Sequence, residues 1–207
     1  MLNSSQDTTA DLGKASYHHG NLRSHLIATV RQLVEEKGAD NFSISEAARR
    51  AGVSSAAPYK HFVDKTEIIN EVSREGMRRL GEAMEQAVAH ASAGHFAKIN
   101  ALGQTYVDFA RAEPGVFRLM FGLTDAHEND EQLHQDGHNT YQILVREVAN
   151  ALPSGINEEE VLRRSYMLWV FVHGHAFLQI DGKVKKAKVE IDEGALLADI
   201  SMRVLNA

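Results

Sequence analysis

The side chains best suited to binding a charged polymer lie on either side of residue 55. Serine hydroxyls can bond several of the base edges that DNA presents, and an alanine methyl can touch the methyl group of thymine. Basic side chains can reach the phosphate backbone, which receives most protein–DNA hydrogen bonds. The candidates are Ser54, Ser55, Ala56, Ala57 and Lys60, with Arg49 shortly before them. Because most of them are small, we expect only modest direct reading of bases.

The residues before this cluster predict a short helix that begins near residue 43. The hydroxyl of Ser43 or Ser45 can accept a hydrogen bond from the free N–H groups of a first helical turn. Apolar residues then recur on one helical face, at Ile44, Ala47, Ala48 and Ala51. Gly52 follows where the chain must reverse, and glycine tolerates the positive φ of such a turn.

The cluster itself predicts a second short helix, capped by Ser54 or Ser55. Pro58 lacks an N–H and clashes with the carbonyl four residues before it. If Ser55 is the N-cap, Pro58 is the third residue of the helix and costs no hydrogen bond. Pro58 therefore favours the cap at Ser55. The two helices and their turn form a helix-turn-helix, whose second helix would enter the DNA major groove.

A family resemblance rests on these same residues. The run Ala51-Gly52-Val53-Ser54, followed by Pro58-Tyr59-Lys60-His61-Phe62 and Lys65, resembles the DNA-binding domain of TetR/AcrR-type transcriptional regulators. The resemblance covers residues 17–80. Ala56 stands where the family often has glycine, and Thr66 where it often has an acid.

This resemblance implies further DNA contacts. Tyr59, Lys60 and His61 would lie near phosphates. Lys65 would hold a phosphate at the start of the next helix, whose free N–H groups also favour an anion. Ser43 or Ser45 would contact the DNA backbone.

Charge is distributed unevenly along the 207 residues, which carry a net charge of −6. Residues 14–66 hold eight Lys or Arg against five acids, whereas residues 67–207 hold fourteen against twenty-one. A basic head on an acidic body is suited to binding DNA at one end only. The chain has no cysteine, which excludes a disulfide framework and thiolate catalysis. The N-terminal residues do not contain the apolar stretch that is typical of a signal peptide, so we expect a cytoplasmic protein.

Helical periodicity continues through the rest of the chain without a strand pattern or a repeat, so we expect an all-α fold. Residues 1–16 are polar and aperiodic, which predicts a disordered arm. Residues 17–80 form the head, whose first helix starts at Asn21 as a cap, and residues 81–207 form the body. A long fourth helix of about 64–90 joins the two, with Asp64 as its cap and Glu67 completing a near capping box. Five further helices are predicted at 95–111, 116–121, 131–152, 157–180 and 192–205, with loops at 122–130 and 181–191. Asn157 would cap the eighth helix.

The most apolar stretch is Tyr166–Ile180, about fifteen residues long. A membrane-spanning helix needs about twenty, and this stretch contains two histidines, so we expect a buried helix and no membrane partner. It is apolar around most of its circumference, which one chain's core would not cover. We therefore expect a homodimer through the eighth and ninth predicted helices.

A second, looser resemblance concerns the body. Trp169-Val170-Phe171-Val172-His173-Gly174 and the run from Glu113 to Phe121 resemble a TetR subgroup with a "WHG" C-terminal domain. That resemblance implies a helical domain for dimerisation and for sensing a small-molecule effector. Aromatic side chains with a few polar tips favour a small apolar ligand. The candidate lining is Tyr106, Phe109, Met120, Phe121, Tyr141, Tyr166, Trp169, His173 and Phe177. Each of these residues could equally belong to an ordinary core.

Metal binding and catalysis find less support. His134 and His138 are four residues apart and could both bind one metal ion. They could equally face solvent at the start of a helix. The sequence contains no phosphate-binding glycine loop, nucleophile elbow or His-Glu-x-x-His motif. We expect no catalytic residue, no resident metal and no cofactor.

Taken together, these patterns indicate a homodimeric all-α transcriptional regulator that binds double-stranded DNA. The resemblance implies a repressor that leaves a palindromic operator when a small molecule binds. Two alternatives stay open. One is a ligand carrier or enzyme with a vestigial DNA-binding head, and the other is a DNA-binding activator or architectural protein that needs no ligand.

Overall fold

A computed structural model describes residues 22–94, 96–122, 130–188 and 190–206. Within these ranges there are nine α-helices and one 3₁₀ helix, with no strand, so the all-α prediction is confirmed. The predicted arm at 1–16, the predicted cap at Asn21 and most of the predicted loop at 122–130 lie outside the described residues. The helices are α1 Leu22–Lys37, α2 Ile44–Arg50, the 3₁₀ helix Pro58–Lys60, α3 Lys65–His90, α4 Ala97–Ala112, α5 Pro114–Phe121, α6 Glu131–Ala151, α7 Glu158–Ile180, α8 Lys183–Ala187 and α9 Glu193–Leu205.

The head forms around α1 and α2. Its small core consists of fully or nearly fully buried side chains, among them Leu26, Val30, Leu33, Phe42 and Phe62. Two ion pairs join the helices at the surface, Lys37 with Glu46 and Arg50 with Glu36. Exposed ion pairs contribute little stability, so the apolar core sets how α1 and α2 cross.

The second half of the helix-turn-helix differs from the prediction. Gly52 has the expected positive φ of 71°. However, the chain after it forms a turn closed by the Ala57 N–H on the Ser54 carbonyl, and then the 3₁₀ helix at Pro58. Ser55 therefore caps no α-helix. The physical reason is Pro58, which has no N–H with which to continue an α-helical ladder, so the segment closes through tighter turns.

The long helix α3 links head and body. Its N-cap Asp64 accepts from the Glu67 N–H, and the Glu67 carboxylate accepts from the Val63 N–H, a near capping box as predicted. Along α3, buried apolar residues pack first against the head and then against α4, α5 and α6. The predicted domain boundary at residue 80 lies inside this continuous helix and stays a prediction.

The body packs α4 to α9 beside the second half of α3. Asn157 caps α7 as predicted, and Asp130 and Asp192 cap α6 and α9. Two boundaries are corrected. Helix α5 begins at Pro114 rather than 116, because proline suits a first helical turn. The predicted loop at 181–191 contains the short helix α8, which starts after Gly182 in a left-handed turn.

Helix α5 contacts the head directly. The Glu35 carboxylate of α1 accepts hydrogen bonds from the N–H groups of Gly115 and Val116 at 2.9 and 2.7 Å. A Cβ on Gly115 would lie 2.7 Å from the Val34 carbonyl oxygen, so only glycine allows this approach. Arg79 of α3 pairs with Glu113 at the same junction. The start of α5 is thus bound to both α1 and α3.

Candidate nucleic-acid interface and effector cavity

The residues predicted to contact DNA form an outer surface of the head. Ser43, Ser45, Arg49, Ser54, Ser55, Ala56, Tyr59 and Lys60 are exposed, and Ala57, His61 and Lys65 are partly exposed. Of the two candidate caps Ser43 and Ser45, Ser43 is the N-cap of α2, since its Oγ accepts a hydrogen bond from the Glu46 N–H at 3.1 Å. Its hydroxyl can still donate to an outside acceptor.

The basic side chains of this surface differ in what they bind within the protein. Arg49 and Lys60 form no ion pair with the described residues, whereas neighbouring Arg50 is bound at both ends of its guanidinium by Glu36. Tyr59, which is 58% exposed, offers its ring and hydroxyl to solvent. Arg49, Lys60 and Tyr59 can therefore all reach a partner without breaking an internal contact.

Lys65 is in a different position. Its ammonium donates to the Asp40 carbonyl at 3.2 Å and lies 4.4 Å from the centre of the Phe42 ring. Lys65 thus attaches the start of α3 to the segment between α1 and α2. The spacing of the motif carries no information about these partners, because Asp40 is 25 residues away.

The body encloses a cavity of about 500 Å³, a size typical of small-molecule sites. Six helices supply its wall, from α3 to α7 and α9. The described part of the wall is almost entirely apolar, and no Asp, Glu, Lys or Arg is among its described residues. A charged group deep in such a space would lose its hydration without compensation, so the cavity suits an apolar body.

Five of the nine predicted lining residues are in this wall, namely Tyr106, Met120, Phe121, Tyr141 and Trp169. The other four lie away from it. Phe109 packs beneath the Arg79 guanidinium, and Tyr166 is 57% exposed on the outside of α7. His173 and Phe177 pack instead against Phe117, behind the wall.

His173 nevertheless supports the wall from behind. Its Nδ1 lies 2.8 Å from the Tyr106 hydroxyl, and Phe121 and Trp169 also contact its ring. Burial lowers the pKa of His173, which favours the neutral ring. A neutral ring can accept the Tyr106 O–H at Nδ1. Burial raises the pKa of Tyr106, and a hydrogen bond from Trp169 opposes that rise.

Sequence reasoning missed much of the wall. Helix α3 supplies Met77, Leu80 and Met84, and α9 supplies Leu197, Ile200 and Ser201. Helical spacing alone could not identify them, because a core position and a cavity position have the same pattern. His134 and His138 also line the cavity. No group of three metal-ligating side chains occurs in the described ranges.

A row of exposed apolar side chains runs along the outer face of α7. Leu162, Tyr166, Val170 and Leu178 follow at multiples of four residues, and Gly174 continues the row without a side chain. Met202 of α9 is also exposed. None of the described helices is long and apolar enough to cross a membrane.

Two stretches of the chain match known protein families. Residues 26–72 match "Bacterial regulatory proteins, tetR family". Residues 99–199 match "Tetracyclin repressor-like, C-terminal domain". The first stretch contains the helix-turn-helix, and the second contains most of the cavity wall.

Individual relatives agree with these matches. An uncharacterized HTH-type transcriptional regulator of Haemophilus influenzae is 34% identical over 98 residues, which cover 47% of this chain and 47% of the relative. The chain thus spans about half of that relative's length. The HTH-type transcriptional regulator BetI of Yersinia pestis is 26% identical over 136 residues, covering 63% of this chain and 69% of BetI. A solved structure from Rhodococcus sp. RHA1, of unknown function, is 30% identical with a TM-score of 0.75, covering 93% and 98% of the two chains.

Proposed function

The chain belongs to the TetR family of bacterial transcriptional regulators, and from this premise we propose that it is a homodimeric repressor in the cytoplasm. On this proposal it occupies a palindromic operator and leaves it when a small molecule fills the cavity. Its family and its relatives are regulators rather than enzymes. The observation that carries the proposal is the helix α5, which lines the cavity at one end and is bound to the head at the other.

On the DNA side, the proposal assigns two roles. Ser54, Ser55, Ala56 and Ala57 lie against base edges, where small side chains read thymine methyls and hydrogen-bonding groups. The phosphate contacts come from Ser43 or Ser45, Arg49, Tyr59, Lys60, His61 and Lys65. Because the phosphate contacts outnumber the base contacts, much of the affinity depends on salt concentration.

The dimer is proposed to form through α7 and α9. The row that includes Tyr166 and Val170 exposes apolar surface along a whole helix, and Met202 of α9 adds to it. In a dimer with a two-fold axis, the row of one copy would pack against the same row of the other copy. The two heads would then reach half-sites about one helical turn of DNA apart, which a palindrome requires.

Release is proposed to pass through α5 and α3. Met120 and Phe121 at the end of α5 line the cavity, and the first turn of α5 is held by Glu35 of the head. Gly76 of α3 lets α5 pack closely, since a Cβ there would lie 2.7 Å from Val116. A ligand that shifts α5 would therefore tilt α3 and change the spacing of the heads. It can do so only by binding the released state more tightly than the DNA-bound state.

The first experiment measures DNA binding by fluorescence anisotropy at two salt concentrations. The probe is DNA from upstream of the protein's own gene, with random DNA as competitor. Lys60→Ala should shallow the salt slope by about one unit, as the loss of one phosphate contact predicts. Lys65→Ala should do the same and should also lower the melting temperature, because it removes the contact with Asp40. Arg78 lies about 20 Å further along α3 than Lys65. Arg78→Ala should therefore change neither the salt slope nor the melting temperature.

Three outcomes would contradict the proposal. Unchanged slopes in both lysine variants would exclude the assigned phosphate contacts. Binding that random DNA competes away equally well would favour a carrier or enzyme with a vestigial head. Specific binding that persists with every ligand tested would instead favour a ligand-independent regulator.

A further inference from the structure

Several polar groups of the cavity wall are already bonded within the protein. Thr140 donates to the Asp136 carbonyl at 2.9 Å, and the Tyr106 hydroxyl is shared with His173 and Trp169. These groups keep the wall intact and have little left to offer a ligand.

Three polar side chains on α6 are different. His134, His138 and Tyr141 line the cavity, and none of them forms a side-chain hydrogen bond or ion pair with any residue in the described ranges. They are spaced by four and three residues, so they share one face of α6 over about 10 Å. The two histidines are exposed and Tyr141 is half-buried. The polar groups therefore form a row where the cavity meets solvent.

The rest of the wall excludes some ligand chemistries. Among the residues that the structure describes, the wall contains no carboxylate that could receive a cation, and no Lys or Arg that could receive a buried anion. Within this described wall, the row on α6 is therefore the place where a charged group of the ligand can be bound. Imidazole N–H groups are donors, and they bond most strongly to an anionic acceptor such as a carboxylate.

We infer that the effector is an elongated apolar molecule with one carboxylate, which accepts hydrogen bonds from His134 and His138 while its apolar body fills the cavity. This inference rests on the proposed function only in calling the ligand an effector. The cavity runs from Met77 to Met84 along α3, about 10 Å, which matches an unbranched chain better than a compact ring system.

Trp169 makes the inference testable without DNA. It is the single tryptophan of the chain and it lies in the cavity wall, so its fluorescence should report occupancy. The experiment titrates the purified full chain at neutral pH with dodecanoate, dodecanol and dodecylamine, all below their micelle concentrations. These probes share one chain length and differ in the head group, which is anionic in dodecanoate, uncharged in dodecanol and cationic in dodecylamine.

We expect dodecanoate to bind about tenfold more tightly than dodecanol, as one or two charge-assisted hydrogen bonds predict. Dodecylamine should bind least tightly. In the double variant His134→Phe, His138→Phe, which keeps a ring but has no N–H donor at either position, dodecanoate should lose this advantage while the affinity for dodecanol stays the same. His90 is an exposed histidine at the end of α3, so His90→Phe should keep the tenfold preference.

Several results would overturn the inference. They are equal affinity for dodecanoate and dodecanol, an acid preference that survives the double variant, or no change in Trp169 fluorescence with any probe. The DNA-release assay separates this inference from the proposed function. If dodecanoate binds with the expected preference but the protein stays on its DNA, the proposed ligand-responsive repression is wrong and the inferred carboxylate ligand stands. If an uncharged ligand releases DNA and dodecanoate binds no more tightly than dodecanol, the inferred carboxylate ligand is wrong and the proposed repression stands.

Discussion

At the scale of single residues, His173 shows how a half-buried polar group can support the wall of a cavity that it does not line. It packs among Phe117, Phe121 and Phe177 and accepts the Tyr106 hydroxyl that faces the cavity. Its depressed pKa keeps the ring neutral, and protonation would remove the acceptor at Nδ1. The position of the Tyr106 ring should therefore depend on the charge of His173.

This pKa shift predicts a pH dependence of stability. The unfolded chain takes up a proton near the ordinary histidine pKa of 6.5, whereas the folded protein takes it up only at lower pH. The unfolded chain thus binds more protons in this window, and stability falls as pH drops from 6.5 towards the folded pKa. Urea unfolding at about pH 7.5 and about pH 5.5 should show the loss, and His173→Gln should reduce it. His90→Gln serves as the control, and an equal loss in His173→Gln and wild type would contradict the assignment.

At the scale of elements, α5 has an unusual cap. Glu113 precedes the helix, but its side chain makes no cap hydrogen bond and pairs with Arg79 instead. The carboxylate that satisfies the first N–H groups comes from Glu35 of α1. A carboxylate at a helix N-terminus is also favoured by the helix dipole. The cap of α5 is therefore a contact between head and body.

Glu35→Ala tests this contact. It leaves two N–H groups of α5 without their acceptor, and the loss of a helix cap costs about 1 kcal/mol. The free energy of unfolding in urea should fall by about that amount. Glu36→Ala is a matched control, since Glu36 is the next residue and its ion pair is with Arg50 at the surface. If Glu36→Ala costs as much as Glu35→Ala, the cap contributes nothing specific.

At the scale of the whole molecule, charge and apolar surface are segregated. The head exposes Arg49 and Lys60 at one end, and the body exposes the α7 row on its side. In the proposed dimer, apolar contact along the α7 row would hold two copies together, and the basic groups of the head would attract the polyanion. This arrangement suits a dimer that presents two heads to one DNA duplex.

Val170→Glu tests the dimer. Val170 lies within the α7 row and is 50% exposed in the single chain, so across a two-fold axis a glutamate would face apolar surface or its own copy. We expect monomers in sedimentation velocity, with unchanged helix content and DNA affinity reduced at least tenfold because only one half-site is bound at a time. Ile156→Glu changes an exposed apolar residue outside the row and should remain dimeric. A dimeric Val170→Glu would exclude this face as the interface.

Several features followed from sequence alone because they depend on near neighbours. The caps at Ser43, Asp64 and Asn157 and the positive φ of Gly52 need only residues within one helical turn. The all-α class of the fold followed from the 3.6-residue period and from a motif with fixed spacing. The exact form of the segment around Pro58 did not, because the sequence pattern places Pro58 in a first helical turn without deciding whether that turn is α-helical or 3₁₀.

Other features were decided only by the tertiary structure, because they join residues far apart in the chain. Glu35 meets the start of α5 across 80 residues, and Lys65 meets Asp40 rather than solvent. Phe109 and Tyr166 have the same aromatic character as Tyr106 and Trp169, yet only the latter two face the cavity. Periodicity identifies the buried side of each helix, but the crossing of several helices determines whether that side meets a neighbour, a second copy or an empty space.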